Sequence, residues 1–185
     1  MSTDDFAFID RYSVAILKLL ASDPMKSCYQ REVARRAGVS VGKTNQVLKA
    51  VTAQELVTRE HVGKVDLYRY NLNNPAARYL KVFFNLTELR GPLRKLREDS
   101  GTIKVVLFGS CADGTDTKES DIDVFVVTSE KKEATGIVQL AGHSIDRRLS
   151  PVIVNPLEFS KLKKDDPAFY EQVSRGITLW QRAEE

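Results

Sequence analysis

The residues best suited to chemistry lie close together in the second half of the chain. Gly109-Ser110 follows the apolar run 103–108, and Asp121 and Asp123 open the next apolar run. A glycine lets the backbone approach a phosphate closely, and a serine hydroxyl with neighbouring amides can hold phosphate oxygens. Two nearby carboxylates can bind divalent cations. The pattern therefore predicts a site for a metal ion and a phosphorylated ligand.

Two buried strands must position these residues. The runs 103–108 and 121–127 both have the continuous apolar character of strands covered on both faces. Successive residues of a strand point to opposite faces, so Asp121 and Asp123 are expected on one face, about 7 Å apart, with Ile122 directed into the core. The phosphate loop would then lie at the end of the first strand.

The stretch LFGSCADGTDTKESDIDVFVV resembles the signature of the DNA polymerase beta-type nucleotidyltransferase superfamily, especially its minimal prokaryotic members. By this resemblance, Gly109 and Ser110 correspond to the nucleotide-phosphate loop and Ser120 to the residue before the acids. Asp121 and Asp123 correspond to the catalytic metal ligands. The resemblance implies Mg²⁺ or Mn²⁺ as the metal and a nucleoside triphosphate as substrate, with ATP expected.

The chain departs from the family pattern at two positions. Minimal members commonly have an arginine where this chain has Asp113. The third carboxylate of the family, which completes the metal site and can act as general base, lies on a later strand. The corresponding segment here is 149–154, which contains no acid, and Ser150 occupies the expected position. A hydroxyl is a poor base and a poor metal ligand beside a carboxylate.

The first half of the chain has the order of elements of a helix-turn-helix followed by a hairpin. Apolar spacing and capping residues predict helices at 12–21, 29–37 and 41–54, and β-prone runs at 56–59 and 67–70 flank Gly63. This order resembles the winged-helix fold of many bacterial and archaeal regulators. It predicts that the segment binds DNA, and the open alternative is a winged helix that contacts protein.

Basic and polar residues mark the surface expected to contact DNA. The expected contacts on the third helix and near the hairpin are Lys43, Thr44, Gln46, Lys49, Arg59, Lys64 and Arg69. Residues 1–72 contain 11 Lys and Arg against 8 Asp and Glu, whereas residues 101–185 contain 11 against 14. A basic first part suits a polyanion, and an acidic last part suits a cation site.

Three parts follow from these patterns: a winged helix-turn-helix domain at 1–73, a kinked helical connector at 74–100 and a small mixed-sheet nucleotidyltransferase domain at 101–185. The fold class is thus α+β or α/β.

No apolar run approaches the roughly 20 residues that cross a bilayer, and the acidic start differs from a signal peptide. The two cysteines lack metal-site spacing. We expect a cytoplasmic protein.

Two functional hypotheses remain open. In the first, the chain transfers a nucleoside monophosphate to a hydroxyl of a protein, RNA or small molecule, and the family resemblance suggests the toxin of a toxin-antitoxin pair as a protein acceptor. In the second, it is a DNA-binding regulator whose transferase domain is silent or senses nucleotide. The missing third carboxylate favours the second, and the intact Gly-Ser and Asp-x-Asp motifs favour the first. A homodimer would suit paired DNA half-sites.

Overall fold

The computed structural model describes residues 10–183. The first nine residues of the predicted winged-helix domain and the last two of the predicted transferase domain lie outside this range. The chain divides into two compact units, Met1–Lys81 and Val82–Glu185. The division falls within helix α4, Pro75–Arg90.

The first unit contains three helices around a small apolar core. These are α1 (Arg11–Ala21), α2 (Gln30–Ala37) and α3 (Val41–Ala53). Asp10 and Ser13 form a reciprocal capping box at the start of α1. Gly38 ends α2 in the left-handed conformation, and the Ser40 side chain caps α3. The predicted helices are therefore present, with boundaries shifted by one residue.

A hairpin follows the three helices. It consists of β2 (Val57–Val62) and β3 (Val65–Tyr70), which pair in antiparallel register around a turn at Gly63, where φ is +63°. The short strand β1 (Cys28–Tyr29) pairs with the other edge of β3. The hairpin confirms the sequence prediction, whereas β1 was not predicted because two residues carry no strand periodicity.

The second unit is built on a four-stranded mixed sheet. After α5 (Arg94–Glu98), its elements are β4 (Thr102–Phe108), α6 (Ser110–Asp113), β5 (Ile122–Thr128), α7 (Lys131–Gly142), β6 (Leu149–Val154), α8 (Pro156–Asp165), α9 (Pro167–Ser174) and β7 (Ile177–Gln181). The strand order is β6-β5-β4-β7. Only the β5–β6 pair is parallel. A mixed sheet of this kind agrees with the predicted fold class.

Both faces of this sheet are covered. On β5, Ile122, Val124 and Val126 join a buried cluster with α7 on one face. Phe125 and Val127 join a second cluster on the other face, where partly buried side chains of α8 and α9 pack. Because strand side chains alternate, Asp123 belongs to the second face. The sheet therefore directs Asp123 toward the side covered by α8 and α9.

No helix among residues 10–183 is both long and apolar enough to span a membrane.

Candidate functional site

The sequence-predicted residues meet at one end of the second sheet. In the strand registers, Asp123 lies opposite Phe108 on one side and opposite Ser150 on the other. Gly109 directly follows Phe108 at the end of β4, and antiparallel pairing brings the start of β5 to the same end. The topology thus brings the glycine-serine loop beside the acid of the next strand.

The close approach of Asp123 favours glycine at position 109. Its φ of +68° lies in a region that L side chains rarely adopt. A Cβ atom added to Gly109 would lie 2.6 Å from Oδ2 of Asp123, well inside van der Waals contact. The carboxylate and the loop backbone are therefore immediate neighbours, and any larger residue at position 109 would separate them.

Ser110 begins the short helix α6, which ends at Gly114 in the left-handed conformation. The hydroxyl of Ser110 has no hydrogen-bond partner among the described residues, and the side chain is partly exposed. The first amides of a helix also lack partners within the helix. The loop therefore presents donors that can hold phosphate oxygens.

The two acids form a locally negative site. Asp121 immediately precedes β5, so the strand begins one residue later than the sequence predicts. The pKa of Asp123 is raised from its ordinary value, first by burial and then by the negative charge of Asp121. The Arg148 guanidinium lies 3.8 Å from Oδ2 of Asp121, and 80% of the Arg148 side chain is exposed, so water screens this pair. A bound cation would relieve the repulsion between the carboxylates.

Ser150, which the sequence places at the expected position of the third acid, lies on the strand next to Asp123. Ser150 pairs with Asp123 in the parallel register, and no residue of β6 is acidic. Within residues 10–183, no group of three or more His, Cys, Asp or Glu side chains could hold a metal ion. Mg²⁺ usually binds through one or two protein carboxylates, together with substrate phosphates and water. The residues present therefore fit a magnesium triphosphate and do not fit an ion held by protein side chains alone.

A buried polar network holds the loop between α6 and β5. Asp116 is fully buried and accepts hydrogen bonds from Arg147 at 2.9 Å and from Asn85 at 3.0 Å. Arg147 also donates to the Ser120 carbonyl and contacts the sulfur of Cys111 at 3.0 Å. The network fixes both ends of the segment that precedes Asp121. Sequence analysis missed it, because Asp116 and Arg147 are 31 positions apart and belong to no local motif.

Ser120 has a structural contact inside this loop. Its Oγ accepts a hydrogen bond from the Thr117 amide at 2.9 Å. The predicted nucleotide-binding residue Ser120 is thus already engaged in the turn that leads to Asp121. A role in nucleotide binding stays a prediction.

A hollow of about 270 Å³ adjoins the other side of Gly109. Asp113 lines it together with Glu171 and Arg175, and these last two form an ion pair with each other. Gly176 is closely packed there, since a Cβ would lie 2.5 Å from the Leu107 carbonyl oxygen. Arg175 is therefore a cation near the loop that sequence analysis did not select, and its charge is paired with Glu171.

Most residues predicted to contact DNA lie on the surface of the first unit. Gln46 and Lys49 are exposed on α3, and Lys64 and Arg69 are exposed on the hairpin. Thr44 is an exception. It is fully buried, so its predicted outward contact is wrong.

Two of the predicted cations are already engaged in ion pairs within the first unit. Lys43 pairs with Asp10 at 2.8 Å, and Arg59 pairs with Asp66 at 2.8 Å. These pairs reduce the charge that the two cations can offer to a polyanion.

A groove of about 860 Å³ in the same unit adds basic residues that sequence analysis did not select. Arg31 and Arg35 of α2 line it together with Lys64 of the hairpin. Their positions four residues apart on a helix place both on one face, a signal that was present in the sequence.

Comparison with known proteins gives one informative match. Residues 89–175 match the family model described as the nucleotidyltransferase domain. No curated protein matches the chain.

Two solved structures resemble parts of the chain. One is a provisionally assigned nucleotidyltransferase from Sulfolobus solfataricus, with 16% identity and a TM-score of 0.39 over 60% of this chain and 93% of that one. The other is HmgR from Pseudomonas aeruginosa, with 16% identity and a TM-score of 0.33 over 77% of this chain and 49% of that one. Both TM-scores are low, and neither likeness supports an assignment.

The family match includes the glycine-serine loop and both acids of the site. It therefore supports a general nucleotidyl-transfer function for residues 89–175, the part of the chain that matches the nucleotidyltransferase domain.

Proposed function

We propose that this chain binds a magnesium nucleoside triphosphate, with ATP expected, and transfers the nucleoside monophosphate to a hydroxyl of a protein, RNA or small molecule, with release of pyrophosphate and the hydroxyl proton. One observation carries the proposal. The Asp123 carboxylate lies so close to Gly109 that a Cβ there would be 2.6 Å from Oδ2. A metal-binding carboxylate and a phosphate-binding loop therefore form one site.

Each group has a defined task in this proposal. Asp121 and Asp123 bind the ion, and Gly109 allows the triphosphate to approach the backbone. The Ser110 hydroxyl donates to phosphate oxygens. When bound, Mg²⁺ neutralises charge on the phosphates during transfer.

A second candidate function rests on Ser150. Its position opposite Asp123 leaves the site without the acid that would complete the metal shell and accept the acceptor's proton. The alternative is a DNA-binding regulator that binds nucleotide without turnover. A nucleotide-sensing regulator would use the same magnesium nucleotide site and differ in transfer, whereas a regulator with a silent domain would need neither.

Transfer of label from ATP separates the two candidates. The full-length protein is incubated with α-labelled ATP and Mg²⁺ in the presence of host-cell protein and RNA, and label on macromolecules is resolved by gel. We expect labelled product that disappears in Asp121→Asn and persists in Asp146→Asn, an exposed acid outside the site. Magnesium-dependent binding without label transfer would contradict transfer and favour the regulator.

For the first unit, we propose a winged helix that binds DNA, as a dimer on paired half-sites. On α3, which would enter the major groove, Gln46 would face the bases and Lys49 a phosphate, and Lys64 and Arg69 would also contact phosphates. The buried side chain of Thr44 and the ion pairs of Lys43 and Arg59 remove these three from the main contacts. Arg31, Arg35 and Lys64 add cations to the groove beside the hairpin, whose lining also includes Glu32 and Asp66.

Salt dependence tests the DNA proposal. Replacing Lys49 by alanine should weaken DNA binding and reduce the salt slope by about one, because one phosphate contact is lost. Lys18→Ala is the control, since Lys18 is exposed on α1 and its replacement by alanine removes the same charge. Equal affinities and slopes for the two variants would contradict the assignment of α3.

A further inference from the structure

A second cavity lies in the second unit, away from the glycine-serine loop. Its volume is about 380 Å³, and its walls come from the C-terminal part of α4, from α5, and from β4 and β7. Natural pockets for small ligands have volumes of roughly 300–1,000 Å³. Neither Gly109 nor the two acids line this cavity, so it is distinct from the nucleotide site.

The walls of this cavity are mainly apolar. Leu86, Leu89 and Leu93 contribute from the helices. Leu179 and Trp180 contribute from β7, which is an edge strand of the sheet. Both are only partly buried against the neighbouring core. An apolar ligand would remove this exposed surface from water, which favours binding.

The same cavity carries positive charge. Among the described residues, its charged lining residues are Arg90 and Arg97, and none of the described acids lines it. Within residues 10–183, neither arginine forms an ion pair, whereas Arg94 on the same helix as Arg97 pairs with Glu98. A guanidinium matches the planar geometry of a carboxylate.

We propose that this cavity binds an amphipathic carboxylate, a small molecule with an apolar chain or ring and one anionic head. The apolar part lies against Leu86, Leu93 and Trp180. The carboxylate lies at the mouth, between Arg90 and Arg97. The volume suits a small molecule, and the charge of the lining selects an anion over a neutral or cationic head.

The cavity contains a residue whose fluorescence can report ligand binding. Trp180 is the single tryptophan of the chain, so its fluorescence reports on this site alone. The full-length protein is titrated with decanoate below its micellar concentration, with decylammonium as a probe of equal chain length and opposite charge. We expect a saturable change with one decanoate bound per chain by calorimetry, and weaker binding of decylammonium. No change in fluorescence, or equal affinity for both probes, would overturn the proposal.

Charge-neutral variants test the anion contacts. The double variant Arg90→Gln/Arg97→Gln should lose about tenfold in decanoate affinity, because two partly exposed ion contacts disappear. Arg94→Gln is the matched control and should keep the wild-type affinity. Both arginines are exposed, so the double variant is expected to fold, which magnesium-ATP binding by the same sample can verify. Unchanged decanoate affinity in the double variant would overturn the proposal.

Discussion

At the scale of single residues, the site depends on the contact between Gly109 and Asp123. The positive φ of Gly109 and the 2.6 Å approach of its hypothetical Cβ to Asp123 act together. Either alone would favour glycine. Together they make the end of β4 and the carboxylate of Asp123 parts of one site.

Replacing Gly109 by alanine should damage both stability and binding. The strained φ and the clash should cost about 1–3 kcal/mol in the free energy of unfolding, and the displaced carboxylate should reduce magnesium-ATP affinity at least tenfold. Denaturant unfolding and calorimetry measure the two effects. Gly136→Ala is the control, since Gly136 lies within α7 with open space around its Cβ position. Wild-type nucleotide affinity in Gly109→Ala would contradict the role of the loop.

Ionised Asp123 should lower the free energy of unfolding of the metal-free protein at neutral pH. Its pKa is raised in the folded state by burial and by Asp121, so folding favours the protonated form. That favourable contribution is fully present below the ordinary pKa of 3.8 and is lost as pH rises through the raised pKa. At neutral pH the ionised group therefore destabilises the fold.

The Asp123→Asn variant should consequently be more stable than wild type without metal. We expect the melting temperature at neutral pH to rise, because the amide carries no charge for burial and Asp121 to disfavour. The difference should shrink as the pH approaches about 4. Thermal scans in chelator at both pH values measure this, with Asp146→Asn as control. A melting temperature below that of wild type at neutral pH would contradict the electrostatic account.

At the scale of elements, the loop between α6 and β5 depends on its buried ion pair. Asp116 is fully buried, and the side chain of Arg147 is 14% exposed. Removing one partner of such a pair leaves an uncompensated charge in the interior, which typically costs about 3–5 kcal/mol. The network is thus a condition for the position of Asp121.

The Arg147→Met variant should therefore lose about 3–5 kcal/mol in the free energy of unfolding. The double variant Asp116→Asn/Arg147→Met should recover part of this loss, because it also removes the buried negative charge that Arg147 balances. Arg148→Met, at the exposed neighbouring position, should stay within about 0.5 kcal/mol of wild type. If Arg147→Met unfolded like Arg148→Met in denaturant titrations, the pair would have no structural importance.

The sequence predicts elements well where periodicity and capping agree. It correctly predicts the two buried strands around the loop, whereas the register that pairs Ser150 with Asp123 is known only from the structure. It is wrong about Thr44, which precedes Val47, Leu48 and Val51 by three, four and seven residues and so shares their buried face. The position of Thr44 in the helical period, and not the polarity of its side chain, decides that it is buried.

Long-range contacts could not be predicted from local patterns. The pair of Asp116 and Arg147 spans 31 positions, and Arg175 reaches the hollow beside Gly109 from α9. Both depend on how strands pair and helices pack. They become visible only when the sheet order is known.

At the scale of the whole molecule, the two proposed binding sites belong to different units of the chain. The surface proposed to bind DNA lies in Met1–Lys81, and the glycine-serine loop with its acids lies in Val82–Glu185. Variants of one unit therefore serve as folding controls for the other. Lys49→Ala should leave nucleotide binding intact, as Asp121→Asn should leave DNA binding intact.

The most direct test of the central claim is a calorimetric titration of the full-length protein with ATP, with and without Mg²⁺. We predict binding that requires Mg²⁺, that weakens at least tenfold in Asp121→Asn, equivalent to about 1.4 kcal/mol, and that persists in Asp146→Asn. Binding of equal strength without Mg²⁺, or equal affinity in wild type and Asp121→Asn, would contradict a magnesium nucleotide site at these acids.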